Sequence, residues 1–528
     1  MNDKEFVRKL NAKEASYLAN THEFTNFAYS FRISLDAFNS LAAFTSAAKR
    51  SLECITKAHP LACCNVAVSA FARALVFRKA KLSDLRVETA PSGSSLDSVL
   101  LSEIAIPIQV FHEPLVRIVL VLPTEAEINS EFHHPKNAGV VFTFAHVGFD
   151  GTVAAHIITM WLNELLDSGS LNSLSETPQY SQQDVLVLES DMIPTSERTW
   201  QKFIRFVLNT LGLLVFIFFK SRPTIIKPST AAPKSLDQID KELLLLLRNK
   251  QEAKNAQLTL FRSRFLNPEE TEKVIQRAKR YGVSVTALIC GALATAIACS
   301  KLLPQNNSRP PVFLPFSFLI ILLDRKKNTI SILSALAING RQARFISPQT
   351  DGAFNYILLA PHVSIKIIDE NSGEKLVTES HIQADLIKFE LDRRLKSNEP
   401  LQMARFLPSP AKVFLTWFNK ASWVSRIVIT PKEAPDFNAV KFSAARLPIC
   451  YALSNVGRIR SSSMSEILKV SDFRMVCTMR DEGNLRRIEA NAVTFNKKMT
   501  ISLQTLYGMV DAVDLDLLEE RLYNILLG

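Results

Sequence analysis

The sequence predicts an α/β protein built from two mixed-sheet lobes of related build, joined by an apolar crossover. Three observations predict it. The chain has 528 residues, too many for one hydrophobic core, since cores stop growing beyond roughly 250–300 residues. Hydrophobic residues make up 47% and charged residues 21%, a globular and not a disordered composition. Short β-branched or aromatic runs alternate with helical apolar stripes in both halves, with no internal repeat between them.

The first ~100 residues read as mixed helix and loop, with apolar spacing that predicts a helix over 48–75 and a stretch rich in turn formers at 91–98. From 104 to 123 the pattern turns strand-like and is strongest in Val116-Arg117-Ile118-Val119-Leu120-Val121. Asn137 to Gly139 reads as a turn leading into Val140-Val141-Phe142-Thr143-Phe144-Ala145. That short run fits a strand buried on both faces. Beyond it, Val153, Ala154, Ile157, Ile158, Trp161, Leu162 and Leu165 fall on one helical stripe. The segment 167–183 is a polar loop.

Residues 201–255 form the expected junction: an apolar stretch at 203–219, a Pro/Lys/Ser-rich piece at 221–234, and a Leu-run helix around 240–250. The lobes are therefore expected at 1–200 and 256–528. The second lobe opens on Asn267-Pro268-Glu269-Glu270, where Asn caps, Pro takes the first helical position and Glu270 closes a capping box. A second helix, rich in Ala and Leu, is expected over 286–299. Strands follow at 356–360, 363–368 and 426–430. A hairpin is expected from 490–495 and 499–506 about Asn496-Lys497-Lys498, and an amphipathic helix over 514–527.

The net charge is +11, but the basic residues are dispersed and form no arm for nucleic acid. A basic surface of this kind attracts anionic ligands such as nucleotide phosphates, or an anionic membrane. The seven cysteines are scattered without a CxxC pair, which implies a reducing compartment and no metal site. The first residues carry no apolar signal core. The stretch 203–219 is interrupted by Arg205 and Asn209, so it reads as a buried helix or a surface-lying anchor and not as a span. With the mean hydropathy of +0.09, this predicts a buried tunnel or a peripheral membrane contact. The expected location is intracellular: cytoplasmic, or on the face of the endoplasmic reticulum or a lipid droplet.

The residues that carry chemistry stand at the strand–helix junction His146-Val147-Gly148-Phe149-Asp150-Gly151. A histidine at a strand end can take a proton from a hydroxyl or an amine near pH 7. Asp150 either orients the imidazole or locks the turn, and the short spacing favours locking, through an arginine. Gly148 and Gly151 permit the tight turn. The GxSxG elbow, the phosphate-binding loop, HExxH and GxGxxG are all missing, so cysteine or serine catalysis has no anchor. His133-His134 reads as a solvated pair. His112-Glu113-Pro114 cannot present a helical metal site because of the proline.

HVGFDG resembles the HxxxDG motif of the CoA-dependent acyltransferase superfamily, which includes chloramphenicol acetyltransferase and peptide-synthetase condensation domains. The opening Arg8-Lys9-Leu10…Glu14 is similar to the start of that superfamily's alcohol acetyltransferase group. So are Tyr281-Gly282-Val283-Ser284-Val285-Thr286, Asn339-Gly340-Arg341 and Ser454-Asn455-Val456-Gly457, in that order. The double His of condensation domains and the Asp-Phe-Gly-Trp-Gly of plant BAHD enzymes are missing. The resemblance implies two chloramphenicol acetyltransferase-like lobes about a channel, with His146 as general base. It also implies that Asp150 and Gly151 are the scaffold of the motif, and it brings Asn455 near the channel. It implies direct transfer of an acetyl or short acyl group from acyl-CoA to an alcohol, in a free-standing monomer that holds no permanent cofactor. An amine acceptor, or a non-catalytic binding protein on the same fold, are the alternatives.

Overall fold

The computed structural model describes residues 6–10, 14, 26–69, 74–124, 137–166, 259–300, 302, 329–332, 334–339, 355–359, 363–366, 373–396, 450–459, 463–479, 488–506 and 509–528. The apolar segment 203–219, the rest of the crossover, the Leu run, the His133-His134 pair, Gly340-Arg341 and the strand expected at 426–430 lie outside these residues.

The first lobe is built on β1 (Phe6–Lys9), β2 (Asn26–Ser34), α1 (Leu41–Ala58), β3 (Cys64–Ser69), β4 (Ala74–Lys79), β5 (Arg86–Thr89), α2 (Leu96–Ala105), β6 (Val116–Val121), β7 (Asn137–Ala145) and α3 (Gly151–Leu166). Its main sheet has five strands in the order β14-β2-β7-β6-β5, where β14 (Ser471–Cys477) comes from late in the chain. The pairs are antiparallel except β5 with β6. The strand and helix expected around the motif form as read, and all seven residues of the α3 stripe are buried.

Of the strand-like 104–123 only Val116–Val121 forms a strand, because Ile104 and Ala105 close α2, and two further expectations fail in this lobe. The helix expected over 48–75 starts earlier and ends at Ala58. Pro60 follows, and the chain then makes the antiparallel hairpin β3–β4. A proline this close cannot continue a helix, and Cys64-Asn65-Val66-Ala67-Val68 pairs well as a strand. Likewise Asn137 to Gly139 is not a turn but the start of β7, facing Ser34 to Arg32 across the ladder. Gly139 is needed because a Cβ there would lie 2.9 Å from Leu96 Cδ1 and 3.1 Å from Val121 Cβ.

The second lobe holds a six-stranded sheet ordered β11-β10-β13-β15-β16-β8. These are Asn355–Leu359, Ser334–Asn339, Tyr451–Ile459, Ile488–Phe495, Lys498–Leu506 and Thr259–Phe265. β9 (Thr329–Ile332) and β12 (Val363–Lys366) pair separately. The helices are α4 (Pro268–Arg280), α5 (Val285–Ala298), α6 (Gly373–Lys396), α7 (Ser463–Ile467) and α8 (Ala512–Leu527). The Asn267 cap is as the sequence predicts: Asn267 Oδ1 accepts from Glu270 N at 2.9 Å, and Glu270 Oε2 accepts from Asn267 N at 3.0 Å. The β15–β16 hairpin turns at Asn496 and Lys497, both in the left-handed region with φ of 47° and 63°.

β14 ties the lobes together. It pairs with β2, yet Phe473 stacks on Phe495 of β15 at 4.5 Å. Arg474 bonds Ser30 and Asp97 in the first lobe while its guanidinium lies over Phe261 of β8. Cys477 exchanges backbone bonds with the Gln504 side chain at 2.9 and 3.1 Å. Gln504 is fully buried, so these bonds satisfy an amide that would otherwise cost free energy in the interior. All seven cysteines are free thiols. Among the described residues no single helix is long and apolar enough to cross a membrane.

Candidate active site

β7 delivers His146 at its end. The strand is apolar on both faces and buried from Ala138 to Ala145. It closes when Gly148 N donates to Ala145 O at 3.1 Å. Gly148 sits hard against the residue before β6, where a Cβ would lie 2.7 Å from Leu115 Cδ1. The turn that follows leaves the His146 ring half-buried, edge-on to Phe27 at 5.1 Å.

One hydrogen bond fixes the chemistry available to that ring. His146 Nδ1 lies 2.8 Å from the Phe149 carbonyl oxygen. A carbonyl only accepts, so Nδ1 carries the proton, and the neutral ring keeps its lone pair on Nε2. Nε2 is therefore the basic atom, as a general base requires.

Asp150 bonds the start of the helix that follows. It is 3% exposed, and its Oδ1 accepts from Thr152 N at 3.1 Å and Val153 N at 3.2 Å. This is an N-cap: the carboxylate satisfies two amides of the first turn of α3 and places negative charge at the positive end of the helix. These two bonds hold the turn against the first turn of α3.

Gly151 is the point where the lobes touch at the motif. A Cβ on it would lie 3.0 Å from Val456 Cγ2 of β13, 3.3 Å from Tyr29 Oη and 3.4 Å from Met475 Sδ of β14. Its carbonyl accepts a bond from Tyr29 Oη at 2.8 Å. Burial, then the Cys477 thiol and the Asp150 carboxylate, push the Tyr29 phenol well above its ordinary pKa, so it stays a donor. Nothing in the sequence singles out Tyr29. The available signal was the period-2 alternation of Phe27, Tyr29 and Phe31 on one face of β2.

Asn455 comes next to the motif only through its neighbour Val456. Its own amide turns to the second lobe: Nδ2 donates to Thr286 Oγ1 at 2.9 Å, and Oδ1 accepts from Gly457 N at 2.9 Å. The register slips between Asn455 and Gly457, and Gly457 has φ of 83°, a conformation suited to glycine. Asn455 thus pins a bulge that presents Val456 to Gly151, and it ties the Ser-Asn-x-Gly segment to the start of α5. Among the described residues no group of three or more metal-ligating side chains exists.

No family model matches the chain, and no curated protein matches it in sequence. Its fold does match solved structures. It is similar to a trichothecene 15-O-acetyltransferase from Fusarium sporotrichioides, at 11% identity and a TM-score of 0.61, over 98% of this chain and 94% of the other. It is similar to the epimerization domain from the third module of tyrocidine synthetase B, at 12% identity and a TM-score of 0.52, over 100% and 97%. It is also similar to the starter condensation domain of rhizomide synthetase in complex with C8-CoA, at 10% identity and a TM-score of 0.51, over 99% and 95%. The chain therefore has the two-lobed fold shared by chloramphenicol acetyltransferase-like and condensation-domain proteins.

Proposed function

We propose that this chain is an acyl-CoA-dependent acyltransferase that moves an acetyl or short acyl group to an alcohol, with His146 as general base. The observation that carries the reading is the His146 Nδ1 bond to the Phe149 carbonyl, which leaves Nε2 unprotonated on a half-exposed ring. The fold supports it, since one similar structure is of an O-acetyltransferase and another is of a domain in complex with C8-CoA.

In this reading the acceptor hydroxyl gives its proton to His146 Nε2 while its oxygen attacks the thioester carbonyl carbon. The tetrahedral intermediate collapses by breaking the C–S bond. The leaving thiolate takes the proton back from Nε2, so ester and free CoA leave and the imidazole ends neutral. No acyl-enzyme forms. Asp150 caps α3 and holds the turn, and acyl-CoA is a co-substrate, not a resident group. The chain acts as a monomer, and a contact between 203–219 and a membrane belongs to the same proposal.

A thiol-release assay with acetyl-CoA and octanoyl-CoA over a panel of alcohols and amines tests this. Release that depends on an alcohol and falls about 10²–10⁴-fold in His146→Ala is expected. Release that depends only on amines moves the chain to the N-acyl alternative. Equal release by both proteins with every acceptor refutes catalysis by His146.

A further inference from the structure

β2 touches both ends of the His146–Gly151 turn. Phe27 and Tyr29 project from the same face of the strand, two residues apart. The Phe27 ring meets the His146 imidazole at 5.1 Å. The Tyr29 hydroxyl holds the Gly151 carbonyl at 2.8 Å. Between these contacts, Phe144 of β7 packs on Phe27 at 5.5 Å and on Phe149 at 5.5 Å. Phe149 is the residue whose carbonyl takes the imidazole proton. The Tyr29 ring is fully buried among Phe27, Phe144 and Phe473, at 6.2, 6.5 and 5.4 Å.

The hydroxyl is not what satisfies Gly151. As the first residue of α3, Gly151 offers its carbonyl to the amide four residues on, and a carbonyl oxygen has a second lone pair for Tyr29. The bond is extra for the helix but specific for the place where the turn ends. Gly151 also has no Cβ to set its position by packing, and the space a Cβ would need is filled by Val456, Tyr29 and Met475.

We propose that Tyr29 is a positioning residue: its hydroxyl anchors the end of the His146–Gly151 turn and thereby fixes the His146 ring on the Phe149 carbonyl. The inference rests on the reading of His146 as the base. Tyr29 touches no reacting atom and acts through the imidazole. Small displacements of a catalytic group can cost up to about 10²-fold in rate.

The test is Tyr29→Phe, which removes one oxygen and keeps every ring contact, measured beside His146→Ala and the double variant. The expected result is a kcat lower by about ten- to a hundredfold, with KM for acetyl-CoA within about twofold and a Tm within about 3 °C of wild type. Combined with His146→Ala, the substitution costs nothing further, because the residue it positions is gone. A kcat within about twofold of wild type, an equal proportional loss in the His146→Ala background, or a larger fall in Tm each overturns the proposal. The last would make the hydroxyl a bond of the core and not of the base. If the wild-type chain transfers no acyl group, the reading of His146 as a base fails, and the clamp is judged by imidazole ¹⁵N resonances. Tyr29→Phe should then move the two His146 nitrogens towards each other as the tautomers mix. Resonances that coincide with wild type overturn it.

Discussion

The two lobes solve the packing problem in opposite ways. The first is an aromatic slab. Phe27, Tyr29, Phe31, Phe142, Phe144, Phe149, Trp161 and Phe473 fill one core, and Trp161 donates to Ala48 O at 3.1 Å across it. The second has an aliphatic core, of Leu, Ile and Ala, crossed by one close helix pair. α5 mixes Ala, Gly and Cys with Leu and Ile at its buried positions, and at Gly291 it packs close against α6. A Cβ on Gly291 would collide with the Ser380 carbonyl oxygen and lie 2.8 Å from Ala384 N. The first lobe uses wide rings to hold one imidazole turn in place. The second brings backbones together, and from that platform β13 pushes Val456 against Gly151. One lobe is therefore sensitive to removal of atoms and the other to their addition.

Three substitutions test that contrast. Trp161→Ala empties the centre of the aromatic slab and is expected to cost about 3–5 kcal/mol, read as a shift of the urea midpoint. A loss under about 1 kcal/mol would mean that the slab is not what holds the first lobe. Gly291→Ala adds one methyl group to the α5–α6 crossing and is expected to cost about 1–3 kcal/mol. The same glycine-to-alanine change inside a helix is ordinarily stabilising, by about 1 kcal/mol. A gain in Tm would therefore break the comparison. Asn267→Ala removes the α4 cap on the rim of the second lobe and should cost about 1 kcal/mol, with thiol release unchanged.

Stability should also fall in mild acid because of the second lobe. Arg277 donates to His381 Nε2 at 3.1–3.2 Å and to the Ile525 and Leu526 carbonyls at 2.7 and 3.1 Å. Burial, and then the Arg277 charge, hold the His381 pKa down to about 4. The unfolded histidine titrates near 6.5. Between these values the unfolded chain binds the extra proton, so the His381 contribution is complete above about pH 6.5 and is lost as pH falls towards 4. A Tm that drops less between pH 7 and 5 in His381→Gln than in wild type is the expected result, and parallel profiles would contradict it.

The motif was legible because it is local. His146, Asp150 and Gly151 lie within six residues, the buried strand before them is a continuous apolar run, and the α3 stripe has clean helical spacing. The Asn267 cap and the turn at Asn496-Lys497 were readable for the same reason: each is decided by neighbours in sequence. Tyr29 was not legible, because its partner is 122 residues away and a tyrosine in a strand ordinarily means burial. Nor did Asn455 reveal its partner Thr286, 169 residues distant. The hairpin β3–β4 was hidden because its apolar residues also satisfy helical spacing, and Pro60 was the sign against it. The late strand β14 joins the first sheet by long-range pairing with β2, which no local pattern encodes.

The most direct test of the account is thiol release by His146→Ala beside wild type, with acetyl-CoA and the best alcohol, at matched circular dichroism. The variant should fold, because His146 is half-exposed and contributes its Nδ1 to the Phe149 carbonyl. Its alcohol-dependent release should be lower by about 10²–10⁴-fold. A folded variant that releases CoA at the wild-type rate would contradict the account.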